Sequence, residues 1–143
     1  MDDTVILIPV RLQARRFPNK PFAKIGNLPM LHYVYNSAAT FFSNVYLVIC
    51  DQPVKEYCTE HNIQYIMTDI GHVSGSDRIG EAIEILENQK DFKYIVNLHG
   101  DMPFIKEDYI KALREKLLSY ALSTLACPFK DLDEASNASK VNV

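Results

Sequence analysis

The chain has 143 residues, of which 48% are hydrophobic and 23% are charged, so it can bury one ordinary globular core without metals or disulfides. Its formal charge of −3 comes from 15 basic and 18 acidic residues mixed along the sequence, which argues against binding to nucleic acid or to an anionic membrane. No segment approaches the roughly 20 apolar residues that cross a bilayer. We therefore expect one domain over residues 1–143, located in the cytoplasm.

Apolar runs alternate with segments of helical period along the chain. The runs Val5–Ile8, Val45–Ile49 and Tyr94–Val96 are continuous, which is typical of strands buried on both faces of a parallel sheet. Three helical faces are predicted, formed by Met30, Leu31, Val34, Tyr35, Ala38 and Phe42, by Ile79, Ala82, Ile83 and Leu86, and by Ile110, Leu113 and Leu117. The alternation predicts an α/β fold with a doubly wound, mainly parallel sheet.

The end of the sequence predicts two more strands. Leu122–Pro128 is apolar enough for one, and Lys140–Val143 has the pattern with which another would begin. A strand that stopped at residue 143 would leave a short exposed edge, so we expect the chain to be a truncated part of a longer protein.

The segment after the first strand is the first candidate site, because ligands of open parallel sheets bind beyond the carboxyl ends of the strands. Ten residues there contain four cations and no acid: Arg11, Arg15, Arg16 and Lys20. Arginine offers a fork of donors that matches phosphate oxygens, and lysine adds a compact charge, so the segment could hold a polyphosphate. The common glycine-rich nucleotide motifs are absent, and the alternative is an ordinary solvated basic loop.

Two further candidate motifs lie next to predicted elements, one before a helix and one after a strand. Ser74 and Asp77 fit the capping pattern of a helix that begins near Ile79, and a cap alone would explain both residues. Asp101 follows the strand Tyr94–Val96 and would face the same crevice as the basic loop, where its carboxylate could hold Mg²⁺. The alternative is that Gly100 and Asp101 only form a turn.

All three segments resemble motifs of the sugar-activating cytidylyltransferases, most closely those of the 3-deoxy-manno-octulosonate cytidylyltransferase (CMP-Kdo synthetase) family. Pro9-Val10-Arg11 with Arg16-Phe17-Pro18-Asn19-Lys20 resembles Pro-Ala-Arg…Arg-x-Pro-x-Lys. His72-Val73-Ser74-Gly75-Ser76-Asp77-Arg78 resembles His-x-Ser-Gly-Thr-[Glu/Asp]-Arg, and His99-Gly100-Asp101-Met102-Pro103 resembles Gln-Gly-Asp-Glu-Pro. The resemblance implies a Rossmann-like fold of the nucleotide-diphospho-sugar transferase type.

The resemblance also implies a function in lipopolysaccharide precursor synthesis. A nucleotidyltransferase of this family transfers CMP from CTP to the anomeric hydroxyl of 3-deoxy-manno-octulosonate (Kdo), with loss of pyrophosphate. The implied roles are distributed as follows: Arg11 and Lys20 hold the CTP phosphates and act in catalysis, Arg16 contacts phosphate or sugar, Ser74, Gly75 and Arg78 surround the nucleoside, His99 contacts the sugar, and Asp101 binds Mg²⁺ and acts in catalysis. A homodimer is implied for the complete enzyme, whose C-terminal part carries most sugar-binding residues.

Several residues depart from the family pattern. Ala14 stands where a serine hydroxyl normally contacts phosphate, a hydrogen bond worth roughly 1.5–3 kcal/mol. His99 and Met102 replace a glutamine and a glutamate. These changes leave open a non-catalytic nucleotide-binding homologue, and a cytidylyltransferase for another acidic sugar such as sialic acid is a further alternative.

Overall fold

The computed structural model describes residues 3–13 and 17–126. In chain order the elements are β1 (Thr4–Pro9), a 3₁₀ helix (Lys20–Phe22), β2 (Lys24–Ile25), β3 (Leu28–Pro29), α1 (Met30–Ala39), β4 (Val45–Ile49), α2 (Gln52–Glu60), β5 (Tyr65–Met67), α3 (Gly75–Glu87), β6 (Tyr94–Asn97) and α4 (Glu107–Lys116). The described helices include none long and apolar enough to cross a membrane.

The chain divides into two compact units, of which the first ends at Glu107 and the second begins at Asp108. The first unit contains the sheets and α1–α3. In the second, the hydroxyl of Ser123 donates to the carbonyl of Leu113 at 3.0 Å and so ties the segment after α4 to that helix. Since residues 127–143 lie outside the described part, a single domain over the whole chain stays a prediction.

A parallel sheet occupies the centre of the first unit. Within the described residues it has four strands in the order β5-β4-β1-β6. Ile6 pairs with Val45 on one side of β1 and with Val96 on the other, and Leu47 of β4 pairs with Tyr65 of β5. The predicted mainly parallel α/β architecture is confirmed, and it follows from continuous runs of β-branched residues that leave no polar face.

Both faces of the sheet are buried at β1 and β4, whereas alternate residues of the edge strand β6 are exposed. One face packs against α3 in a cluster formed by Val5, Leu7, Val48, Ile66, Ile79, Ala82 and Leu86. The alternate positions of the same strands point the other way, and Ile6, Ile8, Leu47 and Ile49 are 0% exposed there. Helix α1 packs on β4 and buries Leu31, Val34 and Ala38. The doubly wound arrangement therefore rests on the apolar faces that the helical period predicted.

The start of α3 is fixed by its own side chains. The amide of Asp77 donates to the hydroxyl of Ser74 at 3.1 Å, and the amide of Ser74 donates to the carboxylate of Asp77 at 3.2 Å. This reciprocal capping box is the one predicted, and it satisfies two amides that the helix cannot pair internally.

Two sequence predictions are corrected. Leu122–Ala126 forms no strand, and Leu122 is 85% exposed, because an apolar run becomes a strand only where a neighbouring strand accepts its backbone hydrogen bonds. The rest of that predicted strand, and the one predicted over Lys140–Val143, lie outside the described residues. Phe42 is buried but lies beyond α1, in a turn where its amide bonds the carbonyl of Ala38 at 3.0 Å.

The structure adds elements that the sequence analysis did not predict. Gly26 and Asn27 form the turn of the β2–β3 hairpin, and Gly26 has a φ of +60°, which suits glycine. Strand β5 has only three residues, too few for a recognisable period. Its extended conformation depends on the backbone hydrogen bonds of its pairing with β4.

Leu47 provides a test of the core. Leu47→Ala should lower the free energy of unfolding by about 2–5 kcal/mol. Leu47 is fully buried in a central strand, so the substitution would leave a cavity that the neighbouring side chains cannot fill completely. Leu122→Ala is the matched control, with an expected change within about 0.5 kcal/mol since that leucine is exposed. Urea denaturation followed by circular dichroism measures both, and equal losses would contradict the assigned core.

Candidate functional site

A cleft opens at the carboxyl ends of the parallel strands. Strands β4 and β5 lie on one side of β1, and β6 lies on the other. The direction in which successive strands join the sheet therefore reverses at β1, and the loops after β1 and β6 border a crevice. The cleft has a volume of about 1200 Å³ and is lined by Arg11, Lys20, Asp51, His72, Arg78 and Asp101, among others. Four separate loops therefore contribute charged or titratable side chains to one space.

Lys20 and Asp101 meet across this cleft, although 81 positions separate them. The ammonium of Lys20 lies 2.8 Å from a carboxylate oxygen of Asp101, and the two side chains are 39% and 52% exposed. The hydrogen bond from Lys20 lowers the pKa of Asp101 below its ordinary value. The predicted phosphate-binding cation and the predicted metal ligand are thus direct partners.

The loop after β6 reaches the cleft because the backbone at Gly100 lies close to that of Pro9. A Cβ built on Gly100 would lie 3.2 Å from the carbonyl oxygen of Pro9, tighter than most side chains tolerate. On the neighbouring loop, a Cβ on Gly75 would lie 3.5 Å from the ring of Pro9. Both glycine-containing motifs therefore pack beside the last residue of β1, and a side chain at Gly100 would displace Asp101.

A second, smaller cavity adjoins the start of α3. Its volume is about 120 Å³, and its lining comprises Pro9, Val10, Arg11, His72, Ser74, Gly75 and Arg78. The three residues predicted to surround a nucleoside lie together here, and Arg11, His72 and Arg78 line both this cavity and the cleft. The hydroxyl of Ser74 is already engaged, since it also donates to the carboxylate of Asp77 at 2.7 Å.

Arg78 is a buried cation at the floor of both cavities. It is only 3% exposed, and its guanidinium donates to the hydroxyl of Thr68 at 2.9 Å and to the carbonyl of Asp69 at 3.4 Å. Neither ion pair beside the cleft, Lys20–Asp101 or His72–Glu81, includes Arg78, and no carboxylate of the described residues neutralises it. Because a buried charge is costly without a counter-charge, this arrangement favours an anionic ligand.

Two cleft residues were not predicted. The ring Nε2 of His72 lies 2.5 Å from the carboxylate of Glu81, which also accepts the amide of Asp69 at 2.8 Å. His72 belongs to a recognised motif. Nothing in the sequence indicated that Glu81, nine positions later in α3, is its partner. Asp51 lies directly before α2, in the position of a helix cap, yet its carboxylate accepts the amide of Leu12 at 3.0 Å.

Arg16 and His99 are the remaining predicted site residues. Arg16, together with Ala14, lies outside the described residues. His99 is exposed and lines neither cavity. Their contacts with sugar or phosphate stay predictions.

The Lys20–Asp101 pair predicts a dependence on pH. Lys20→Met should raise the pKa of Asp101 toward its ordinary value, because the hydrogen bond that lowers it is lost. A carboxyl whose pKa is lowered by folding stabilises the fold above its ordinary pKa, and this contribution disappears as the pH falls through the lowered pKa. The wild type should therefore exceed Lys20→Met in stability by no more than about 1 kcal/mol at neutral pH, and the difference should vanish in acid.

An NMR titration of the Asp101 carboxyl carbon, with urea denaturation at matched pH values, measures both effects. Lys24→Met, which removes an exposed lysine of β2, serves as the control. An unchanged Asp101 titration in Lys20→Met would contradict the ion pair.

Known proteins resemble this chain over most of its length. The sequence model of a family described as cytidylyltransferase matches residues 5–143. A 3-deoxy-manno-octulosonate cytidylyltransferase of Nitrobacter hamburgensis is 38% identical over 141 residues, which cover 96% of this chain and 55% of the relative. The corresponding protein of Rhodopseudomonas palustris (strain BisB5) is 35% identical over 143 residues, covering 98% of this chain and 58% of the relative. The chain thus spans a little more than half the length of these curated relatives.

Solved structures agree with this relationship. A CMP:2-keto-3-deoxy-manno-octonic acid synthetase complexed with CTP matches with a TM-score of 0.69 and 30% identity, over 80% of this chain and 47% of the solved one. A cytidylyltransferase from Leptospira borgpetersenii matches with a TM-score of 0.66 and 19% identity, over 81% and 49% of the two chains, and shows the shared fold alone. With the family's sequence model matched from β1 to residue 143, and its motifs converging on one cleft, the chain belongs to the cytidylyltransferase family.

Proposed function

We propose that the chain is the CTP-binding portion of an enzyme that transfers CMP from CTP to the anomeric hydroxyl of Kdo, with release of pyrophosphate. The observation that carries the proposal is the convergence of Arg11, Lys20, Arg78 and Asp101 on one cleft beside a small cavity. The names of the similar proteins support CTP as the nucleotide and Kdo as the acceptor. Such an enzyme would work in the cytoplasm on precursors of lipopolysaccharide.

The cations of the cleft suit the triphosphate. Arg11 borders both cavities and Lys20 lies in the larger one beside Asp101, so both cations can reach the phosphates beyond the one attached to the nucleoside. Binding of CTP would give the Lys20 ammonium phosphate oxygens in place of its carboxylate partner. That exchange keeps Lys20 paired in both states, so the charge is not left uncompensated at any stage.

The donor set of the cleft fits Mg²⁺. Asp101 brings a carboxylate into the cleft beside Lys20, and the described residues contain no group of three or more histidines, cysteines or acids that could hold a metal without the nucleotide. Mg²⁺ is commonly bound by one or two carboxylates together with substrate phosphates. When bound, it would neutralise phosphate charge beside the reacting phosphorus.

The small cavity suits the nucleoside. Backbone amides at the start of α3 and the guanidinium of Arg78 offer donors there, and Gly75 allows a ligand to approach the backbone closely. Because the Ser74 hydroxyl both donates to and accepts from Asp77, its contribution is mainly to fix this helix start.

Catalysis by this chain would consist of positioning and charge neutralisation. The sugar hydroxyl would attack the α-phosphorus in line, while Arg11 and Lys20 hold the departing pyrophosphate. No covalent intermediate on the protein is required. Arg16 and His99 are proposed contacts of the acid sugar, and the complete enzyme is proposed to be a homodimer.

Nucleotide binding tests the proposal. Isothermal titration calorimetry should show that Mg²⁺ strengthens CTP binding to the wild type and that Asp101→Ala abolishes this strengthening, because the variant lacks the metal ligand. The ratio of affinities with and without Mg²⁺ is the informative quantity, since Asp101→Ala also frees Lys20 for phosphate. We expect a loss of about tenfold or more in affinity at saturating Mg²⁺, as for one charge-assisted contact.

Asp108→Ala is the matched control, because it removes an exposed carboxylate in the first turn of α4. It should keep the Mg²⁺ dependence of the wild type. A wild type that binds CTP equally with and without Mg²⁺, or an Asp101→Ala variant that keeps the dependence, would refute the assignment of Asp101.

A further inference from the structure

Among the described residues, the carboxylates that line the cleft are Asp51 and Asp101, and the proposed function uses only Asp101. Asp51 follows β4, and one of its oxygens accepts the amide of Leu12 at 3.0 Å across 39 positions of sequence. Leu12 is the second residue of the basic loop. The carboxyl end of β4 is therefore fastened directly to the beginning of the loop that carries the predicted phosphate-binding cations.

Leu12 also contacts Asn19, the residue that precedes Lys20. Its carbonyl accepts the amide of Asn19 at 3.0 Å, and Asn19 has a left-handed backbone with a φ of +56°. Lys20 comes next, beginning the 3₁₀ helix with its side chain on Asp101. A continuous series of contacts thus runs from Asp51 through Leu12 and Asn19 to Lys20.

The carboxylate of Asp51 is not needed by its own helix. Although Asp51 occupies the capping position of α2, its side chain makes no capping hydrogen bond. The first turn is bonded through the main-chain carbonyl of Asp51, which accepts the amides of Val54 and Lys55 at 3.1 and 3.2 Å. The side chain can therefore be removed without taking an acceptor from α2, and its other neighbour is the thiol of Cys50 at 3.5 Å.

A negative charge beside a polyphosphate site is unfavourable for the ligand. Asp51 lines the same cleft as Arg11, Lys20 and Arg78, so its charge opposes the anion that these cations favour. A carboxylate in such a place is explained by the hydrogen bond that it accepts rather than by its charge.

We propose that Asp51 is a positioning residue: by accepting the Leu12 amide it anchors Leu12, whose carbonyl in turn holds Asn19, so that Lys20 is presented to the nucleotide phosphates. The last clause rests on the function proposed above. The first, that Asp51 anchors Leu12 and Asn19, is independent of any ligand.

Two variants separate the hydrogen bond from the charge. Asp51→Asn keeps an acceptor oxygen and should bind Mg²⁺-CTP at least as tightly as the wild type, because the repulsive charge is gone. Asp51→Ala loses the acceptor and should bind about tenfold more weakly, as expected when one hydrogen bond to a charged group is lost. In a Lys20→Met background the Asp51→Ala penalty should largely disappear, because the loop would no longer present an ammonium.

Limited trypsin digestion without nucleotide provides a readout of the loop itself. The informative cleavage site follows Arg11, because the amide of the Arg11–Leu12 bond is the donor to Asp51. Asp51→Ala should be cut after Arg11 several times faster than the wild type, whereas Asp51→Asn should not, and mass spectrometry of the fragments identifies that cut. Glu60→Ala is the matched control, since it removes an exposed carboxylate from the other end of α2.

The outcomes distinguish the two proposals. If Asp51→Ala resists trypsin and binds Mg²⁺-CTP like the wild type, or if Asp51→Asn behaves like Asp51→Ala, the positioning role is wrong. If no variant and no wild-type sample binds CTP, the proposed function fails, and faster cleavage of Asp51→Ala after Arg11 would still support the anchoring of Leu12 by Asp51.

Discussion

The position of β1 between β4 and β6 is the constraint on which the cleft depends. All four described strands of the main sheet run in the same direction, so the loops after them emerge at one edge. Because β1 pairs with both neighbours, its basic loop is bordered by Asp51 on one side and by Asp101 on the other. Residues from distant parts of the sequence are thereby brought within hydrogen-bonding distance by the register of buried backbone bonds.

The charged groups of the cleft can change partners when an anionic ligand binds. Lys20 and Asp101 neutralise one another in the described structure, while Arg78 is buried with neutral oxygens as its acceptors. An anionic ligand supplies what Arg78 lacks and competes with Asp101 for Lys20. In our proposal a magnesium nucleotide satisfies both groups at once, since it offers phosphate oxygens to the cations and a metal ion to the carboxylate.

The sheet, the main helices and the capping box of α3 could be predicted because each is recorded in a local pattern. Continuous apolar runs indicated β1, β4 and β6, and Ser74 with Asp77 indicated where α3 begins. Strand β5 could not be predicted in this way, since its three residues depend on pairing with β4. The motifs for the basic loop, the start of α3 and Asp101 were recognised, but the sequence could not show that Lys20 and Asp101 are partners. The bond from Leu12 to Asp51 was also invisible, because it joins a main-chain amide to a side chain whose position in sequence suggested a local cap.

The central claim is that CTP and Mg²⁺ separate Lys20 from Asp101 and take one each. A crystal structure of the chain with CTP and Mg²⁺ tests it most directly. We expect the Lys20 ammonium on phosphate oxygens, the Asp101 carboxylate at the metal, and the nucleoside beside Ser74, Gly75 and Arg78. A nucleotide bound elsewhere, with the Lys20–Asp101 ion pair unchanged, would contradict the account.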